Sequence, residues 1–265
     1  MNFFCNFAVK SDDNMITKNE IKMIRSLEHK KYRVMFNCFV AEGTKTVGDM
    51  LGHFKCSRIV ATKAWFDQND DLPSDIKLNE VDNDTLRRIS SLEHPQQVLA
   101  LFEIPEYPEI PTPDSDNTII LALDGVQNPG NLGTIIRIAD WFGIKDIVCS
   151  HGTVDVYNPK VVQAAMGSMA RVRVHYTDLS NYLWIIDKEI PIYGTFLDGE
   201  DVYTSNINPA GVIIMGNEGQ GISPEIASLV TQKLTIPNFN SGSDGADSLN
   251  VAVATAIMAS EFRRR

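Results

Sequence analysis

The chain has 265 residues, 43% of them hydrophobic and 22% charged, enough for two domains that each bury a core. Its net charge of −10 excludes a uniformly basic nucleic-acid binder, and no apolar run approaches the roughly 20 residues that span a membrane. Cys5, Cys38, Cys56 and Cys149 form no CxxC pair and no ligand spacing, so the sequence predicts reduced thiols, no bound metal and a cytoplasmic setting.

Residues 1–15 lack a basic leading region and are interrupted by Asn6, Lys10, Asp12 and Asp13, so they read as a short extension rather than a secretion signal. A helix is expected to start just after Thr17. Thr17 and Glu20 have capping-box spacing, and Ile16 and Ile21 can close a hydrophobic staple over it. Ile21, Ile24 and Leu27 continue the buried stripe, leaving Lys18, Lys22 and Arg25 largely on other faces. Lys30, Lys31 and Arg33 come next, then a strand over 36–41 that ends at Glu42-Gly43. A helix over 44–54, a strand over 57–61, a helix over 82–91 and a strand over 97–104 complete a small α/β domain, residues 16–104. Residues 18–63 carry a net charge of +6, whereas 64–116 carry −10. Phosphate responds to local charge density, so a basic N-terminal face is compatible with RNA. A solvated basic helix end would give the same count, and both readings stay open for Lys30, Lys31 and Arg33.

Between residues 105 and 117, four prolines alternate with Glu106, Glu109, Asp114 and Asp116. Fixed φ angles, missing backbone donors and solvated acids make this an interdomain linker. The second domain, 118–265, alternates strand and helix. Strands are expected at 118–124, 146–149, 171–175, 191–196, 211–216 and 233–236, with helices at 131–142, 159–166, 178–187, 223–230 and 248–263. That alternation predicts a mostly parallel sheet with helices on both faces.

Three segments of this half stand out. Asn128-Pro129-Gly130 makes a turn after the first strand, with a helix beginning near Asn131 or Leu132. Leu132, Ile135, Ile136, Ala139 and Phe142 should face the sheet, while Gly133, Thr134 and Arg137 share another face. Gly133 then leaves room for a ligand beside the Arg137 guanidinium. Gly211 to Gly221 is a strand running into a glycine-rich loop that carries Glu218. Ile236-Pro237 followed by Ser248-Leu249-Asn250 is a strand, a loop and the start of the last helix.

In order and spacing these three motifs resemble the SpoU/TrmH family of the SPOUT superfamily, RNA ribose 2′-O-methyltransferases that use S-adenosylmethionine. The resemblance covers about 150 residues, from Thr118 to Arg265. It implies an α/β fold whose C-terminal SPOUT domain carries a trefoil knot, which no local pattern in 191–265 reveals. The N-terminal domain is similar, more loosely, to the substrate-binding domain that precedes many SpoU-type catalytic domains. There Lys30, Lys31 and Arg33 beside Phe36-Asn37 match the RNA-binding pattern.

The resemblance also implies roles. Thr195, Phe196, Leu197, Gly216, Asn217, Gly219, Ile236 and Leu249 would form the cofactor cradle, with Gly216 permitting close backbone approach. Asn131, Arg137, Glu218, Ser248 and Asn250 match the polar catalytic positions. Arginine is almost never deprotonated and its planar fork suits phosphate, so orientation and charge stabilisation are the preferred role for Arg137, with proton abstraction left open. Asn131 and Glu218 would fix its guanidinium. Ser248 also reads as a plain N-cap of the last helix, with Asn250 in its first turn. The family further implies a homodimer through the knotted domain, and the small residues Ala252, Ala254, Ala256 and Ala259 suit close helix packing.

One departure is the 238–247 loop, longer than the usual connection, which brings Asp244 and Asp247 near the site. The two-domain layout resembles that of the ribosomal members of the family, which implies ribosomal rather than transfer RNA as the substrate. An inactive RNA-binding relative and a dimerisation module are the rivals. A Rossmann enzyme is disfavoured because Gly216, Gly219 and Gly221 lie too far along the chain for its phosphate loop.

Overall fold

The computed structural model describes residues 15–114, 118–240 and 247–265. The 1–14 extension, the last three residues of the linker and most of the 238–247 loop, including Asp244, lie outside the described residues. Two compact units emerge: one reaches Glu106 and takes in Tyr157–Ala170, the other spans Tyr107–Val156 and Arg171–Arg265.

The N-terminal unit begins with α1 (Lys18–Ser26), whose capping box forms as expected, Thr17 Oγ1 accepting from Glu20 N and Glu20 Oε2 accepting from Thr17 N. Ile24 and Leu27 carry its buried stripe, with Ile16 and Ile21 packed beside them. Next come α2 (Lys30–Phe36), β1 (Cys38–Glu42), α3 (Thr44–Met50), β2 (Cys56–Ala61), α4 (Lys63–Phe66), β3 (Lys77–Glu80), α5 (Asn83–Ile89) and β4 (Val98–Glu103). The strands form a mixed sheet in the order β1-β4-β2-β3. The strand expected to open at Phe36 opens at Cys38, because Asn37 takes a left-handed turn (φ 48°) that ends α2. The short α2, α4 and β3 were not expected. Each has four to seven residues, too few for a periodic pattern to declare itself.

The C-terminal unit contains β5 (Ile119–Leu123), α6 (Pro129–Trp141) and β6 (Asp146–Ser150), while α7 (Pro159–Ala165), which follows in sequence, packs on β1 of the N-terminal unit. Then come β7 (Arg173–Thr177), α8 (Leu179–Trp184), β8 (Ile192–Asp201), β9 (Gly211–Met215), α9 (Pro224–Ala227), β10 (Gln232–Thr235) and α10 (Val251–Arg264). The six strands are ordered β10-β8-β9-β5-β6-β7, and every neighbouring pair is parallel. β5 and β9 are buried at every position, as strands covered on both faces should be. Residues 107–111 of the linker pack on the C-terminal unit. The Tyr107 ring lies 5.3 Å from that of His175, Pro111 O accepts from Tyr182 Oη at 2.8 Å, and Ile110 packs on the core. Cys38, Cys56 and Cys149 are buried and form no disulfide among the described residues. No described helix is long and apolar enough to cross a membrane, and no described cluster of side chains could hold a metal ion.

Candidate active site

Helix α6 starts two residues earlier than its apolar stripe indicates. Asn128 is the N-cap, its Oδ1 accepting from Gly130 N at 2.8 Å and Asn131 N at 3.2 Å, and Pro129 occupies the first turn, where no backbone donor is needed. Leu132, Ile135, Ile136 and Ala139 are buried as expected, whereas Phe142, the C-cap, is only half-buried. Gly133 is buried too. The exposed stripe of α6 is instead Gly130, Thr134, Arg137 and Trp141, at steps of four, three and four residues.

At the start of this helix the three motifs meet. Asn131 Nδ2 donates to Glu218 Oε1 at 2.9 Å, and Asn250 Nδ2 donates to Asn131 Oδ1 at 3.0 Å. Glu218 also accepts from the backbone of Asn128 at 3.1 Å and of Gln127 at 3.2 Å. Burial works to raise the Glu218 pKa, but the bonds from Asn131 and from the backbone N–H groups outweigh it and hold the carboxyl below its ordinary range. Glu218 is therefore an ionised clamp, and neither it nor Asn131 reaches the Arg137 guanidinium, contrary to the expected arrangement. Arg137 is exposed and has no partner among the described residues.

Asn250, not Ser248, caps α10, accepting from Ala252 N at 3.0 Å and Val253 N at 3.3 Å. A single asparagine thus starts one helix and, through its amide, grips Asn131. Ser248 is exposed and lies two residues ahead of the cap.

The glycine-rich loop is closed by its own backbone. Asn217 and Gly221 exchange N–H···O bonds of 2.9 Å, and Asn217 Oδ1 accepts from Gly219 N at 2.9 Å and Gln220 N at 3.0 Å. A Cβ on Gly216 would sit 2.3 Å from the Gly221 carbonyl carbon, so the missing side chain admits the returning loop rather than a ligand. Asn217 Nδ2 holds Gly125 O at 2.7 Å, and Asp124 Oδ2 accepts from Ser223 N at 2.8 Å. Asp124 and Gly125 belong to the site's frame and were not singled out from sequence; Asn128 was read there as part of a turn, and the Asn-Pro pair carried a legible cap signal.

Thr195, Phe196 and Leu197 lie where β8 bows out of its ladder. Lys233 pairs with Gly194, yet the next residue, Leu234, pairs with Glu200. Thr195 Oγ1 donates to Ile214 O at 3.0 Å, and Thr235 Oγ1 reaches Leu197 O at 3.4 Å, which sets the bow beside Ile236. Leu197 and Leu249 are left 78% and 50% exposed, with Phe196 and Ile236 half-buried. Aliphatic surface of this kind at strand ends fits the adenine of a nucleoside cofactor.

In the N-terminal unit Lys30 and Lys31 are exposed, but Arg33 is not. It is 2% exposed, and its Nη1 donates to Leu27 O at 2.7 Å and Glu28 O at 2.8 Å, satisfying carbonyls at the end of α1. The structure corrects its expected phosphate contact: a buried guanidinium spent on backbone cannot reach RNA.

Comparison with known proteins matches residues 118–260 to the SpoU rRNA Methylase family and residues 18–100 to the MRM3-like substrate binding domain. The 23S rRNA (guanosine(2553)-2′-O)-methyltransferase RlmP of Bacillus subtilis is 31% identical over 249 residues, covering 93% of this chain and 97% of that protein. A TrmH-family structure from Porphyromonas gingivalis superposes with a TM-score of 0.85 at 41% identity, over 94% of this chain and 99% of the other. An AdoMet-bound rRNA methyltransferase from Sinorhizobium meliloti superposes with a TM-score of 0.81 at 32% identity, over 94% and 95% of the two chains.

Proposed function

The chain belongs to the SpoU rRNA Methylase family, and from that premise we propose how its residues divide the work of methyl transfer. The protein is an S-adenosylmethionine-dependent methyltransferase acting on ribose 2′-hydroxyls of ribosomal RNA. The observation that carries the site assignment is the joined set Glu218–Asn131–Asn250, three motifs held on one helix start with Arg137 exposed on the same helix.

S-adenosylmethionine, when bound, supplies a methyl group on a sulfonium. We assign the walls of its cradle to the bow Thr195-Phe196-Leu197, to Ile236 and to Leu249, with Gly216, Asn217 and Gly219 shaping the loop between them. Arg137 faces the substrate: its planar fork orients the ribose and an adjacent phosphate, and stabilises charge as the hydroxyl gives up its proton. Glu218, with its oxygens committed to Asn131 and two backbone donors, is a positioning residue rather than the proton acceptor, and Asn131 and Asn250 act with it. We assign Ser248, exposed two residues ahead of the α10 cap, to the substrate side of the site.

Residues 16–104 serve as the RNA-binding domain and 118–265 as the knotted methyltransferase domain. We further propose a homodimer, supported by apolar side chains left outside on two helices that pack on each other: Trp141 of α6 is 85% exposed and Val253 of α10 is 50% exposed. Sedimentation should give a dimer that Trp141→Glu converts to a monomer. We also propose a cytoplasmic setting, supported by the ribosomal RNA substrate and by described cysteines that form no disulfide.

The experiment for the main reading is transfer of labelled methyl groups to deproteinised 23S ribosomal RNA from a strain lacking the protein, followed by mapping of the modified ribose. One protected 2′-position is expected. Label on a base, or none, would overturn it.

A further inference from the structure

Helix α2 divides sharply into two arcs. Arg33 is buried, and Tyr32 and Phe36 are half-buried with their rings stacked 6.3 Å apart against the core. On the other arc Lys30, Lys31, Val34 and Met35 all face solvent, with Val34 67% and Met35 72% exposed. Helical spacing puts Lys30 one turn from Val34, and Lys31 one turn from both Val34 and Met35. The helix contains no acid, and Lys31 Nζ is held 4.7 Å from the centroid of the Tyr32 ring. Two large apolar side chains next to two cations match a strand that alternates bases with phosphates. They match neither duplex RNA, which hides its base faces, nor the linker acids, which need no apolar contact.

We propose that this arc of α2 binds an unpaired stretch of the ribosomal RNA substrate, Lys30 and Lys31 on phosphates and Val34 and Met35 against an unstacked base. The assignment rests on the rRNA methyltransferase reading. It divides binding energy into a salt-dependent part and a salt-independent part, which two double variants separate. None of the four side chains is buried, so both variants should fold.

Binding of each variant to deproteinised 23S ribosomal RNA is measured across a salt series, beside methyl transfer. K30A/K31A should flatten the log–log salt slope by about 1.4, the value for two single-strand phosphate contacts. V34S/M35S should weaken binding about tenfold with the slope unchanged, as loss of partial apolar burial requires. Both should raise KM with kcat near that of the wild type. If the wild type transfers methyl groups and either variant binds like it, the inference is overturned while the enzymatic reading stands. Unchanged RNA affinity in V34S/M35S with lost self-association would assign the face to a protein contact and overturn it equally. A wild type that methylates no ribosomal RNA would remove the reading beneath it.

Discussion

Asn250 Nδ2 donates to Asn131 Oδ1 at 3.0 Å, joining the cap of the last helix to the first turn of α6 across 119 residues of sequence. Asn131 turns its other amide atom to Glu218, so one side chain with one donor end and one acceptor end bridges two loops. An aspartate here keeps the acceptor but points a second carboxylate at Glu218. Asn131→Ala should cost about 1 kcal/mol, the net worth of an ordinary hydrogen bond, and Asn131→Asp should cost more at pH 7. Acidifying to pH 4 protonates part of the new pair and should narrow the gap. Thermal unfolding of both variants at the two pH values checks this; an Asp variant as stable as the Ala variant at pH 7 would contradict it.

Glu218 supplies a pH signature of its own. Its folded pKa is depressed because hydrogen bonds from Asn131, Asn128 and Gln127 outweigh the opposing effect of burial. A depressed carboxyl contributes stability that is fully present above its unfolded pKa of about 4.3 and is lost as pH falls through the folded value. Glu218→Gln should therefore be less stable than the wild type at pH 7, with the difference shrinking below about pH 4. A difference that stays constant down to pH 3 would show that the charge is not what the N–H groups recognise.

Arg33 and its neighbours separate structure from binding. Removing a buried guanidinium leaves the Leu27 and Glu28 carbonyls without their donor, so Arg33→Met should destabilise the N-terminal unit by about 1–3 kcal/mol. The salt slope of RNA binding should match the wild type, because no phosphate contact is lost. A flattened slope with unchanged stability would return Arg33 to the RNA surface.

The parallel sheet was legible because burial on both faces forces continuous apolar runs such as 119–123 and 211–215, and these need no long-range information. The three-motif site was legible as a set of residues but not as a network. Sequence placed Asn131 and Glu218 around Arg137, whereas each spends its polar atoms on the other and on helix starts. Gly216 shows the same limit. Its need for no side chain can be read in a glycine-rich loop, but whether a ligand or the chain's own backbone fills the space depends on where Gly221 returns. Arg33 was misread because a basic run looks the same whether it is solvated or folded under; only the αL turn at Asn37 and the end of α1 decide it.

In the proposed division of work Arg137 acts on the ribose, while the cradle and the Glu218–Asn131–Asn250 clamp stand without it. Calorimetric binding of S-adenosylmethionine beside methyl transfer to deproteinised 23S ribosomal RNA, for the wild type, Arg137→Ala and Arg137→Lys, separates these roles. Both variants should bind the cofactor normally and keep the wild-type unfolding temperature, since Arg137 is exposed and unpartnered among the described residues. Transfer should fall by about a hundredfold or more in each, because an ammonium keeps the charge but not the fork. Near-normal transfer by the Ala variant would remove Arg137 from the reaction, and loss of cofactor binding along with transfer would make its role structural.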